Sequence, residues 1–338
     1  MSNKHYKIRE DLPIVYGGLT LYRIEALTDL PHHCVKRGDI GGFIESYNNL
    51  RDSAWVGDDA KVSGNAQVRD NAYIHHKARV CDNAWVTDNA RVFGTAVVAG
   101  DSGVLGNARI SGNSRVSGYA VVSGNAEVRD QAQVRDHAEV KENARVYGSA
   151  SVFGNAVVCG DVALSGSARV YGDSKMDGNA RMFGNAEVYG TAKVYGMAHV
   201  IDNAEVFGNA KVGEFAVVFD DAKVFDDARV QGRAQVCGTS QVFGDAEVGG
   251  YAYVIEDAKI QHDHDCIVFK NFWSSRGYFT WTRSNNMWKD GCFYGTGEEL
   301  VERAYKDSKM SGDNYKAIVN YVNNVVIPQL KVGERENE

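Results

Sequence analysis

Proline is almost missing from this sequence, with 3 in 338 residues, although Gly is plentiful at 36. A Gly-rich chain without Pro excludes collagen and is unlike Gly/Pro-rich disordered sequence. No run approaches the roughly 18 apolar residues of a membrane span, so no membrane partner is expected. The opening MSNKHYKIREDL has no apolar signal-peptide core. Cys34, Cys81, Cys159, Cys237, Cys266 and Cys292 are scattered with no CxxC pair. They read as free thiols in a reducing compartment, which points to the cytoplasm. No charge predominates: 37 Lys and Arg are interspersed with 44 Asp and Glu, for a net −7. That balance argues against a nucleic-acid partner. Apolar residues make up 44%, enough for a folded core.

What is present is a repeat. From Ala54 the chain divides into sixes (AWVGDD, AKVSGN, AQVRDN) without insertion or deletion to Asp263, giving 35 hexapeptides. Position 1 is Ala in 30 units and position 3 is Val in 29. Position 5 is Gly in 21 and Asp or Glu in 12, and position 6 is Asn or Asp in 22. Positions 1 and 3 therefore form a period-two strand with an apolar inner side. Positions 5 and 6 hold residues that tolerate the left-handed backbone of tight corners. A helix is excluded by Gly every six residues and by so many β-branched valines. Proline is scarce because a ladder strand needs every N–H. Short strands joined by corners predict a parallel β-solenoid, an all-β fold.

The Leu21–Leu50 segment, LYRIEALTDLPHHCVKRGDIGGFIESYNNL, leads into these repeats. It resembles the start of the YdcK-like hexapeptide-repeat proteins and their phage and prophage relatives. Lys36, Gly38, Asp39 and Gly41–Ser46 match, while Arg51 stands where that pattern has Ser. The resemblance implies a left-handed β-helix of about 12 triangular coils, three hexapeptides to each. It also implies a homo-oligomer, with a trimer favoured. Hexapeptide acyltransferases use a His base in a cleft between subunits, shaped by a loop leaving the coil. No such loop interrupts residues 54–263.

At three units per coil, residues 18 apart stack on one face, with positions 2 and 4 outward. Position 4 then aligns Phe153, Tyr171, Tyr189, Phe207, Phe225 and Phe243 as an aromatic strip. A second, broken apolar column contains Phe183 and Phe219. Such strips mark an oligomer or partner interface, or simply stabilise the ladder. Position 2 of the third face aligns Lys175, Lys193, Lys211 and Arg229, a candidate anion site or a solvated face.

Residues 1–53 are expected to cap the first coil, with a strand over Leu19–Leu27. After Asp263 the period stops. Residues 264–338 predict a small βββαα domain: strands in Cys266–Trp273, Tyr278–Ser284 and Met287–Thr296, then two helices. The first opens on the capping box Thr296–Glu299 and runs to about Ser308, and the second runs from about Asp313 to about Ile327, ended by Pro328. Trp273, Trp281, Arg283, Trp288 and Tyr294 in this domain form a candidate ligand pocket or a core.

Among the histidines, His75 and His199 are weak candidates for a catalytic base. The His262–Cys266 run has zinc-ligand types, but neighbours on a strand point to opposite sides, so no metal and no cofactor is expected. The preferred reading is a non-enzymatic oligomeric solenoid that binds a macromolecule. The phage resemblance adds a host target such as a defence factor. An acyltransferase using acetyl-CoA and a small-ligand or nucleotide sequestering protein are the alternatives.

Overall fold

The computed structural model describes residues 5–336. The fold is a parallel β-solenoid of about twelve turns, followed by a small antiparallel sheet with helices. The chain divides into two compact units, Met1–Gly196 and Met197–Glu338.

Every hexapeptide folds alike. Positions 2 and 3 form a two-residue strand, from Trp55–Val56 to Lys259–Ile260, thirty-five in all among the described residues. Within each unit, strands 18 residues apart pair in parallel, as Lys61–Val62 with Arg79–Val80 in one unit and Lys211–Val212 with Arg229–Val230 in the other. Ala at position 1 and Val at position 3 fill the interior and are fully buried, as at Ala138 and Val140. Each buried Val contributes roughly 1.5–3 kcal/mol.

Position 5 makes the corner in the left-handed region. Asp82, Asp136, Glu142 and Asp220 adopt φ between 56° and 62° there. An acidic residue at this corner also caps the next turn. The Asp82 carboxylate accepts the Gly100 N–H at 2.9 Å and Glu142 accepts that of Gly160 at 2.8 Å. Position 6 adds side-chain amide ladders, such as Asn107 to Asn125 to Asn143 to Asp161 at 2.9–3.0 Å.

The ladder has a polarity. At positions 2, 4 and 6 the N–H groups donate to the carbonyls of the following turn, as Trp55 N to Ala72 O, Gly57 N to Ile74 O and Asp59 N to His76 O. The first turn is therefore left with orphan carbonyls and the last with orphan N–H groups. The N-terminal cap supplies donors. His5 Nε2 reaches Ala54 O at 2.8 Å, His33 Nε2 reaches Ser53 O at 2.9 Å and the Tyr6 hydroxyl reaches Leu50 O at 3.0 Å. A hairpin of Tyr6–Tyr16 and Leu19–Ala26 and the strand Ile40–Ile44 carry these residues onto the first turn.

The C-terminal cap supplies acceptors. Asp263 takes the Glu247 N–H at 2.6 Å and Thr280 Oγ1 takes that of Tyr253 at 3.0 Å. Ser284 Oγ takes the Lys259 N–H at 2.7 Å, and the Asp265 carboxylate takes those of Gln261 and His262 at 3.0 and 2.9 Å. The Tyr278 ring stacks on Tyr251 at 4.2 Å.

This cap differs from the βββαα expectation in two ways. Its sheet has four strands, Cys266–Lys270, Tyr278–Thr282, Met287–Asp290 and Phe293–Gly295. The expected third strand folds back on itself at Gly291–Cys292, because Gly291 accepts φ +53° at the first turn position. The helices are α1 (Gly297–Asp307), α2 (Lys309–Tyr321) and α3 (Ile327–Glu336). Helix α1 opens on the expected Thr296–Glu299 capping box. Helix α2 starts four residues before Asp313, because the Ser308 side chain caps the Ser311 N–H. Pro328 does not end the helical path. A π-helical turn, Val322–Val326, precedes it, and Ile327 N–H bonds to Val322 O. That wider register absorbs the missing N–H and the ring clash of Pro.

Candidate functional site

The aromatic column stacks as its 18-residue spacing requires. In the first unit Phe153 lies on Tyr171 at 4.8 Å and Tyr171 on Tyr189 at 5.0 Å, with planes within 5°. In the second unit Phe207 lies on Phe225 at 5.0 Å and Phe225 on Phe243 at 5.1 Å. The rings are half-buried, not exposed, because each covers a face of the next. Charged neighbours line them. The Arg135 guanidinium sits 4.1 Å over the Phe153 ring, and Glu187 accepts both Arg169 and the Tyr171 hydroxyl at 2.7 Å. In the second unit Lys223 pairs with Glu205 at 2.8 Å. Phe183 and Phe219 on the second face are half-buried as well.

The most exposed rings of the solenoid stand at position 6, where the strand pattern draws no attention; Phe215 and Tyr251 share one 18-residue column and Tyr119 lies on another. Tyr119 is 58% exposed, Phe215 49% and Tyr251 48%, and Met197 at the same position is 50% exposed. Arg233 lies between Phe215 and Tyr251, 5.2 and 6.0 Å from their rings. The 18-residue spacing of Met197, Phe215, Arg233 and Tyr251 was the available signal.

In the basic column, Lys175 stands in register with Lys193, and Lys211 with Arg229. Lys175 is tied to Asp177 at 2.9 Å, which neutralises one of the four cations.

The five C-terminal residues do not converge on a pocket. Trp281 and Trp288 are 0% and 1% exposed and build the domain core with Phe279, Leu300, Tyr315 and Val319. Trp281 Nε1 donates to Asn286 at 2.9 Å. Arg283 pairs with Asp265 at 3.4 Å, and the Tyr294 hydroxyl accepts from Asn285 at 3.2 Å. Trp273 packs edge-on against Tyr315 at 5.2 Å. A cavity of about 210 Å³ lies elsewhere in the domain, lined by Asn271, Asp290, Cys292, Arg303, Asp307 and Tyr315 among others. In the His262–Cys266 run, His262 Nδ1 bonds Asp245 at 2.9 Å and Asp265 is used up by the cap.

The candidate base His199 is half-buried on its strand, in register with Val217. His75 is wedged between the rings of Tyr73 at 4.3 Å and Phe93 at 5.1 Å. Burial and the adjacent His76 lower its pKa to about 4. A general base works best with a pKa near the working pH, so His75 is poorly tuned for that role. One side-chain group does have metal-ligand geometry. Asp58, His75 and His76 each offer a ligand atom, all within 4.8 Å of one another. His76 holds the corner position at φ +59°, and its N–H donates to Asp58 Oδ2 at 2.8 Å.

Residues 108–129 match the family model described as the YdcK β-solenoid repeat. No curated protein sequence matches the chain. Among solved structures, UDP-N-acetylglucosamine O-acyltransferase from Moraxella catarrhalis RH4 is similar at 14% identity. The match covers 78% of this chain and 96% of that one, with a TM-score of 0.19. It transfers neither activity nor assembly to this chain. No helix of the described residues is long and apolar enough to cross a membrane.

The donors of the N-terminal cap make it acid-sensitive. Burial is the largest influence on His5 and His33 and lowers both pKa values from 6.5. Folding thus favours the neutral rings. Their contribution is complete above pH 6.5 and is lost as pH falls through the lowered values. Between pH 7 and 5.5, the hydrogen-exchange protection factors of residues 5–60, taken relative to intrinsic rates at each pH, are expected to fall. The fall should shrink in a His5→Gln/His33→Gln variant and persist in His137→Asn.

Proposed function

We propose that this YdcK-type solenoid is a non-enzymatic binding protein that associates with copies of itself, a trimer being favoured, through its stacked aromatic face. The observation that carries this reading is the ladder itself. Within each unit, flat rings 4.8–5.1 Å apart form a regular apolar surface still partly open to water. Flat aromatic surfaces with Arg at their margins are the residue types that anchor protein interfaces. All thirty-five hexapeptides keep the strand-and-corner form, and none extends a cleft-shaping loop.

Sedimentation equilibrium tests the association. The wild-type chain is expected at a multiple of its 37.0 kDa mass. Phe207→Lys/Phe225→Lys is expected to sediment as a smaller species with unchanged circular dichroism. An unchanged mass in the folded variant would sink the reading.

The exposed column of Met197, Phe215, Arg233 and Tyr251 favours a second use, docking of a different macromolecule. That this partner is a host factor met in the cytoplasm, such as a defence protein, rests on the phage resemblance alone. Affinity capture from host cells with wild type and Phe215→Asp is the test. The acyltransferase alternative predicts saturable acetyl-CoA binding that is lost in His75→Ala or His199→Ala. The low pKa of His75 weighs against it.

A further inference from the structure

We propose that Asp58, His75 and His76 form a binding site for one divalent transition-metal ion of the zinc class. Each supplies one ligand atom, and the three atoms lie within 4.8 Å of one another. Ligand atoms around a tetrahedral zinc stand about 3.4 Å apart, given bond lengths near 2.1 Å. The residues therefore need to close by up to about 1.4 Å. Their settings allow this. The His76 ring is exposed and can turn, while His75 is held between Tyr73 and Phe93. Asp58 is exposed and anchored through Oδ2 on the His76 N–H at 2.8 Å, which leaves Oδ1 for the ion. Two oriented ligands with one mobile imidazole give a site that is oriented before binding and closed by it.

The position of His76 is a second observation. It occupies corner position 5, where 33 of 35 units carry Gly, Asp or Glu. Its φ of +59° is the left-handed conformation of that corner, which His tolerates better than most side chains. The chain has two adjacent histidines at positions 4 and 5 in this turn alone, and it places Asp58 one turn below. Two imidazoles with one carboxylate suit zinc, cobalt or nickel better than calcium or magnesium, which prefer oxygen donors. Three protein ligands leave a fourth position for water or a donor from a bound partner.

Isothermal titration with Zn²⁺ and visible spectroscopy with Co²⁺, on metal-stripped full-length protein at pH 7.5, test the site. One equivalent is expected to bind, and Co²⁺ should show the intense absorption of tetrahedral coordination. His76→Gly restores the commonest corner residue and is expected to fold while weakening binding at least tenfold. Asp58→Asn keeps a corner-tolerant residue and should weaken binding similarly. His32→Ala and His137→Ala should bind as wild type. Binding that survives both His76→Gly and Asp58→Asn would overturn the site, as would no binding by the folded wild type. This outcome is independent of the oligomer reading, because Phe207→Lys/Phe225→Lys should bind metal unchanged.

Discussion

Gly160→Ala is expected to destabilise the solenoid by about 2–5 kcal/mol, and Gly250→Ala by only about 1–2 kcal/mol. Both glycines occupy corner position 5, at φ +74° and +63°. Both substitutions therefore carry the cost of a left-handed backbone for a residue with a Cβ, roughly 1–2 kcal/mol. They differ in what lies on the next turn. A Cβ at Gly160 would sit 2.5 Å from Gly178 O and 2.8 Å from Gly178 N, whereas a Cβ at Gly250 meets nothing within 4 Å. The Gly178 carbonyl cannot retreat freely, because it accepts the Asp161 N–H at 2.7 Å. Overpacking of this kind adds roughly 1–3 kcal/mol. Because each turn in a solenoid touches only its neighbours, the damage should be local. Hydrogen exchange should show it between about residues 156 and 180. Equal losses of stability in the two variants would show that stacking of the corners is not what selects Gly.

Trp281→Ala is expected to cost about 3–5 kcal/mol, the usual range for removing a buried indole. Trp281 is fully buried in the C-terminal core. The consequence should reach beyond that domain. The same strand carries Thr280, whose hydroxyl takes up the Tyr253 N–H. Loosening the cap would leave the last turn as an open parallel edge, ready to pair with another chain. The expected outcome is a protein whose repeat keeps its circular dichroism but whose Tyr253 and Lys259 amides exchange faster, and which aggregates. Thr280→Val probes the hydrogen bond with little change of shape. An orphaned, partly buried N–H costs about 1–3 kcal/mol. Ser284→Ala should cost much less, because Ser284 and Lys259 are exposed and water can replace the hydroxyl. If Trp281→Ala leaves the exchange of residues 253–260 unchanged, the domain does not act as a cap.

The candidate surfaces were legible to different depths. The stacking of Phe207 on Phe225 follows from their 18-residue spacing, since three six-residue units close a turn. Their partial burial did not follow, because exposure depends on the ring one turn away. Met197, Phe215 and Tyr251 went unnoticed because a corner position is read as Gly or Asn territory, where the backbone decides. The Trp residues of the last domain were ambiguous for a different reason. A cluster of aromatics with Arg and Asn has the composition of both a pocket and a core. Only the packing of Trp281 against Trp288 separates the two. Pro328 misled in the same way, since a local rule ends the helix but a π-helical turn carries it on.

The sequence by itself determined a parallel solenoid, its strand positions and its left-handed corners. Those follow from the residue types within each six-residue unit, where inward Ala and Val and a Gly or acidic corner set burial and backbone conformation locally. Tertiary structure decided the ends and the sites, because these depend on residues far apart in the chain. The upward polarity of the ladder leaves carbonyls at the start and N–H groups at the finish. Only the fold shows that His5, Tyr6 and His33 answer the first need and Thr280, Ser284 and Asp265 the second. Likewise Asp58 meets His75 and His76 because one turn of the coil brings residues about 18 apart into register.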